Sequence, residues 1–295
     1  MTASDDVSLS LPGGSLYGVL ERPANLATGL AILIHPGSGP TDRDGNQPGM
    51  INDSLKLLAV GLRDHGVTTL RIDKRGVGAS SAAAPDESAM RVETYVGDAV
   101  SWLDFLRRQR DVRQIALIGH SEGALIATLA TQRSLVAALV LIAGAGRPIA
   151  DVLRDQLAPH LTPDWKTRVF AMIATLEAGG TVTDVPPELQ ALFRPSVQPY
   201  MRSWMAYDPA AELAKVTAPV EIIQGRRDLQ VTVGDAARLA AKQPKARLHL
   251  IDGMNHILKS VPDDRGANLA SYNDPALPLA PALIPALAHF LAALG

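Results

Sequence analysis

Three side chains in this sequence have the types and the order needed for nucleophilic acyl chemistry: Ser121, then Asp228, then His256. Ser121 stands in Gly119-His120-Ser121-Glu122-Gly123, between an apolar run at 115–118 and a helix-like run at 124–131. Unbroken apolar character fits a strand buried on both faces. Gly-x-Ser-x-Gly between such a strand and a helix predicts a nucleophile elbow, a strained turn that lifts the serine Oγ above the sheet edge. The flanking glycines remove Cβ atoms that would clash with the neighbouring strand and helix. A helix starting just after the serine aims free N–H groups and a positive dipole end at any anion formed there.

A serine hydroxyl is a poor nucleophile at neutral pH, so it needs a base, and the base needs an orienting acid. Asp228 follows the strand pattern at 219–224, and His256 follows the last strand pattern at 247–251. Each lies a few residues past a strand end, within reach of the edge where Ser121 stands. The other histidines fit the base role less well. His249 lies inside the last strand, His65 at a helix end, His160 in a helical insertion and His289 in the tail helix, while His120 either points away from Ser121 or lines the turn. Asp252 is too near His256 in sequence to reach its far ring nitrogen, and Asp235 reads as a helix N-terminal residue.

A tetrahedral intermediate needs two N–H donors. One expected donor is the backbone of Glu122. The other comes from the loop 35–40, where Pro36 has no N–H, Ser38 is favoured and Gly37 comes second.

These residues require a frame that brings distant loops together. An alternating hairpin is expected over 7–21, followed by strands at 29–34, 67–72, 114–118, 137–142, 219–224 and 247–251. Helical spacing between them (Leu55, Leu58, Ala59 and Leu62, for example) predicts an α/β fold, with a mostly parallel eight-stranded sheet covered on both faces. Asn52 or Ser54 is the expected cap of that first helix. Right-handed crossovers then put every parallel strand's C-terminal end on one edge. Residues 147–210 break the alternation with helical patterns alone. They divide the chain into core 1–146, helical cap 147–210 and core 211–295. The insertion holds half of the aromatic residues. Over the active edge it would supply an apolar pocket, with Trp165, Phe170, Tyr200 and Trp204 as candidate substrate contacts.

Composition narrows the classes. The chain has 295 residues, 47% hydrophobic and 20% charged, with a formal net charge of −2. That balance gives no electrostatic case for nucleic acid or an anionic membrane. With no cysteine, disulfides, thiolate metal sites and a cysteine nucleophile are excluded. The acidic start lacks the basic-then-apolar run of a signal peptide and no window reaches a membrane span, so a cytoplasmic location is expected. Asp42-Arg43-Asp44-Gly45-Asn46 resembles the start of a calcium loop, but Gly45 is misplaced, Gln47 holds position six and Asp53 stands where a bidentate Glu is needed. No metal is expected there; an ion-paired loop bracing the segment 37–38 is. Lys74-Arg75 and Arg226-Arg227 read as solvated or paired charges, with Arg75 or Arg226 meeting an acidic substrate as the lesser alternative.

With these motifs in place, together with His35-Pro36-Gly37 and the segment 73–80 (DKRGVGAS), the chain resembles the α/β-hydrolases over essentially its whole length. Residues 37–46 (GSGPTDRDGN) with 255–259 (NHILK) are similar to a branch of bacterial carboxylesterases often labelled serine aminopeptidase-like. Many α/β-hydrolases carry His-Gly where this chain has His35-Pro36. Dehalogenase and epoxide-hydrolase members use an Asp nucleophile, which Ser121 argues against. The resemblance implies a helical cap, no cofactor and hydrolysis of short- to medium-chain acyl esters by Ser121, Asp228 and His256, with donor amides at Ser38 and Glu122. The partner expected is a small-molecule ester. The same triad serves thioesterases, peptidases and acyltransferases, and a non-catalytic ligand-binding protein is the alternative from another class.

Overall fold

The computed structural model describes residues 3–24 and 27–294; Met1 and Thr2, the first residues of the acidic start, lie outside them. The apolar and alternating runs form one eight-stranded sheet: β1 (Ala3–Leu11), β2 (Gly14–Arg22), β3 (Leu30–His35), β4 (Thr68–Ile72), β5 (Gln114–His120), β6 (Ala138–Ile142), β7 (Val220–Gly225) and β8 (Arg247–Ile251). The order is β1-β2-β4-β3-β5-β6-β7-β8. The β1–β2 hairpin joins β4 antiparallel, and every pair from β4 to β8 is parallel.

Strand side chains alternate between two apolar layers, as the period of two demands. Leu33, Leu117, Leu139 and Leu141 face one layer. Ile32, Ile34, Ile118, Val140 and Ile142 face the other. The first layer is closed by α2 (Val92–Arg107), α3 (Glu122–Arg133), α8 (Pro209–Leu213) and α9 (Val233–Lys242). The second is closed by α1 (Ser54–Asp64) and α11 (Leu283–Ala292). Leu58 and Leu62 of α1 are fully buried there, each stabilising the fold by roughly 1.5–3 kcal/mol. The cap of α1 differs from expectation. Asp53 takes the N-cap position in a left-handed conformation (φ 52°), and Asn52 Oδ1 accepts the N–H of Ser54 (3.0 Å).

Between β6 and β7 the chain leaves the sheet edge as α4 (Ile149–Leu157), α5 (Pro163–Glu177), α6 (Gln190–Phe193) and α7 (Gln198–Met205). Ile149, Val152, Leu153, Val169, Met172, Ile173, Leu176, Phe193 and Met201 give this segment an apolar core of its own. A short helix that the pattern did not predict, α10 (Arg265–Ala270), follows β8. The helices α4 to α7 therefore stand above the edge at which β3, β5, β6, β7 and β8 all end.

Candidate active site

Ser121 follows the last residue of β5 with φ 56° and ψ −121°, a conformation that a side-chain-bearing residue adopts only when its surroundings enforce it. The enforcement is close packing. A Cβ on Gly119 would lie 2.1 Å from the carbonyl oxygen of Gly123, and a Cβ on Gly123 would lie 2.5 Å from that of His35. Only glycines let β5, the turn and α3 approach this closely. A Cβ on Gly37 would sit 3.1 Å from Ser121 Cβ, so the loop after β3 lies directly against the serine.

Asp228 and His256 come from the loops after β7 and β8. His256 Nδ1 and Asp228 Oδ2 are 2.8 Å apart. The Asp228 side chain is fully buried, and its other oxygen accepts the N–H groups of Gln230 (2.7 Å) and Val231 (2.9 Å). Gln224 Nε2 donates to Oδ2 as well (3.0 Å). Burial pushes this carboxyl up. The attraction of His256, its hydrogen bond and the two backbone donors outweigh that and hold the group below the usual carboxylate range. Asp228 is thus an ionised acceptor against the imidazole, which leaves Nε2 as the nitrogen free to exchange a proton. Ser121 and His256 line one small cleft with Gly37, Ser38 and Tyr272.

His120, the residue before Ser121, is buried against the expected base. Its ring packs on that of His256 (centroids 5.0 Å apart), and Nε2 lies 2.8 Å from the His256 carbonyl oxygen. Burial, reinforced by His256, lowers its pKa to about 4, so it is a neutral donor that holds the His256 backbone. The loop after β3 is held in the same fashion. His35, pushed down to about 3 by burial and by Lys74, is neutral, and its Nδ1 lies 3.0 Å from the Pro36 carbonyl. Thr41 Oγ1 donates to the Ser38 carbonyl (2.6 Å).

The carboxylates of the acidic loop 42–46 have partners in the loop and in β4. Asp42 Oδ1 accepts the N–H groups of Asp44 and Asn46 (both 2.9 Å), Asp44 pairs with Arg71, and Asp53 accepts from Asn46 Nδ2 (2.7 Å) and Lys56 (3.2 Å). Arg43 pairs with Asp73 at 2.6 Å.

A cavity of about 650 Å³ opens beside Ser121, between the sheet edge and the helical segment. Tyr200 and Trp204 line it, with Leu125, Ile149, Val152, Val197 and Met201. Trp165 and Phe170 do not stand among its lining residues, a correction to the sequence-based expectation. Both are partly buried against the segment's own core, with Arg168 over Trp165 and Lys166 over Phe170. Helical spacing identifies an apolar face but not which of two apolar neighbours it meets. The two pairs of adjacent cations are ion-paired, the second of the two expected alternatives. Lys74 and Arg75 are buried, against Glu122 (3.5 Å) and Asp98 (2.7 Å). Arg226 and Arg227 sit in exposed pairs with Asp252 (2.9 Å) and Asp263 (2.5 Å), and neither lines the cavity.

Two neighbours of the site went unread in the sequence. Gln224 is a buried polar residue near the end of β7, which carries Glu221 as its other polar side chain. The side chain of Glu122 carried no local signal, because its partners lie 48 residues upstream and 78 downstream, at Lys74 and Tyr200.

Comparison with known proteins agrees with this architecture. A family model described as the alpha/beta hydrolase family matches residues 32–271. Esterase EstD of Thermotoga maritima is 29% identical over 249 residues, covering 83% of this chain; the chain spans 58% of that relative's length. Among solved structures, Est1E from Butyrivibrio proteoclasticus superposes with a TM-score of 0.62 at 18% identity, covering 97% of this chain and 99% of that one. The alpha/beta hydrolase GrgF from Penicillium sp. sh18 gives 0.63 at 20% identity, covering 99% and 98%. No helix among the described residues is long and apolar enough to cross a membrane. With the family model spanning most of its length, the chain belongs to the alpha/beta hydrolase family.

Proposed function

We propose that this protein is a serine carboxylesterase that cleaves short- to medium-chain esters through an acyl-enzyme. The observation that carries the reading is the 2.8 Å contact of His256 with buried Asp228, in a cleft that also holds Ser121. In this reading Ser121 Oγ attacks the ester carbonyl while His256 Nε2 takes its proton and passes it to the leaving alkoxide. Asp228 holds the tautomer with Nδ1–H and stabilises the imidazolium. A water activated by His256 then cleaves the acyl-enzyme. The backbone N–H groups of Glu122 and Ser38, with Gly37 adjacent, receive the oxyanion. The helical segment 147–210 acts as a cap, and Tyr200 and Trp204 bound the acyl pocket.

An ester of an uncharged acid fits the cavity best. Its four lining cations already have carboxylate partners: Lys74 with Glu122, Arg75 with Asp98, Arg147 with Asp235 and Arg194 with Glu87. No cation among the described lining residues is left to receive the phosphates of an acyl-CoA, which favours ester over thioester. The esterase relative supports the same class. The test is turnover of p-nitrophenyl esters of increasing acyl length, with Ser121→Ala as control. A peak at short or medium chains that vanishes in the variant is expected. Variant turnover equal to that of the wild type would reject the reading.

A further inference from the structure

Lys74 and the side chain of Glu122 have no role in the reaction as described, yet both are among the most deeply buried charged groups of the molecule, 2% and 5% exposed. Burying an ion pair is costly unless every donor and acceptor is matched. Here the ammonium is matched on three sides. Nζ donates to the carbonyl oxygens of Gly37 and Gly39 (2.9 Å) and pairs with Glu122 Oε2 at 3.5 Å. The other carboxylate oxygen accepts from Tyr200 OH at 2.6 Å. The Tyr95 ring covers Lys74, its centroid 5.4 Å from Nζ.

The two carbonyls matter because of what lies across their peptide planes. In a trans peptide, C=O and N–H point in opposite directions. An ammonium that fixes the Gly37 carbonyl therefore fixes the Ser38 N–H, directed away from Lys74. Gly39 is followed by Pro40, which has no N–H, so the second carbonyl serves only to anchor the loop. The carboxylate completing the set belongs to Glu122, whose own N–H is the other expected donor. One ion pair thus ties together the two chain segments that carry the donors, one after β3 and one opening α3.

We propose that Lys74 and Glu122, with Tyr200 as the link from the helical segment, are positioning residues that set the oxyanion hole by fixing the Gly37–Ser38 peptide relative to the start of α3. The inference rests on the esterase reading for its reaction. The chemistry suits lysine: a compact ammonium offers three divergent donors to two carbonyls and a carboxylate, whereas the donors of arginine are held in one plane.

The test uses the whole chain with three variants. Lys74→Met leaves Glu122 buried without its cation, so misfolding is a risk. Lys74→Met combined with Glu122→Gln removes both charges and keeps the shapes. Loss of one oxyanion-hole donor typically lowers kcat by about 10²-fold or more. The folded double variant should therefore lose about 10²-fold in kcat on p-nitrophenyl butyrate, with KM within about threefold of wild type. Its rate of labelling at Ser121 by a fluorophosphonate, which loses fluoride and leaves a tetrahedral adduct whose polarised phosphoryl oxygen points into the hole, should fall in parallel. Tyr200→Phe should lower both rates by a smaller factor. A purely structural role would lower the melting temperature and leave both rates intact in the folded protein; that result would overturn the proposal. A wild type that labels but does not hydrolyse esters rejects the esterase reading alone, because the labelling rates still test the positioning device. A wild type that does neither rejects both.

Discussion

Replacing Asp228 by asparagine isolates the contribution of one oxygen, and the surroundings dictate the outcome. Oδ1 of Asp228 faces the N–H groups of Gln230 and Val231 at 2.7 and 2.9 Å, and Oδ2 faces His256 Nδ1 and Gln224 Nε2 at 2.8 and 3.0 Å. Every one of these neighbours is a donor. Two are backbone groups that cannot turn, so in Asp228→Asn the amide oxygen must stay with them and the NH₂ group must face His256. Imidazole can meet an N–H donor there only by carrying its proton on Nε2, and in that tautomer it cannot accept a proton from Ser121. A wrong-tautomer base of this kind typically costs about 10⁴-fold in kcat, which is about 5 kcal/mol of barrier. KM should stay within about threefold, since no cavity contact changes. Stability should fall as well. Asp228 is held below its ordinary range in the fold, so its carboxylate contributes stability above the unfolded pKa that is lost as pH falls through the folded value. The variant lacks this contribution at neutral pH, and its deficit should shrink on acidification. Steady-state kinetics on p-nitrophenyl acetate, beside a thermal melt at each pH, measure both. A folded variant within about tenfold of wild-type kcat would refute the assignment of Asp228 as the orienting acid.

Other perturbations follow from the same geometry. Ser121→Ala should reduce ester turnover to background and abolish fluorophosphonate labelling while leaving the melting temperature close to wild type. Gly119→Ala forces a Cβ to 2.1 Å from the Gly123 carbonyl oxygen; because backbone must move, a loss of roughly 1–3 kcal/mol or more is expected by denaturant titration. Glu221→Gln should act through pH. Burial, partly offset by Arg247, raises Glu221 to about 7, and its Oε2 is buried without a partner. The folded state therefore holds this proton while the unfolded state releases it, so wild-type stability declines as pH rises from the ordinary carboxylate range toward about 7. The variant should melt higher than wild type at about pH 8 and alike at about pH 5. Equal melting at both values would show that Glu221 ionises without penalty.

Much of this molecule is written locally in its sequence. The alternation within each strand, the helical spacing of Leu55, Leu58 and Leu62 and the glycines around Ser121 are short-range patterns, because backbone sterics and side-chain period act over a few residues. They suffice for the eight strands, their alternation with helices and the elbow. The rule that parallel strands end on one edge then brings Asp228 and His256 near Ser121 without any knowledge of contacts. Other features depend on what meets across the fold. That Trp165 and Phe170 pack against the helical segment's core, while Tyr200 and Trp204 line the cavity, is set by how α5 and α7 pack. No periodicity distinguishes two apolar neighbours. That Lys74, which reads as a solvated or paired charge, lies buried between two carbonyls and Glu122 is set by three segments converging from positions 37–39, 74 and 122. A charge is tolerated there only because every partner arrives together, and that convergence exists only in the folded chain.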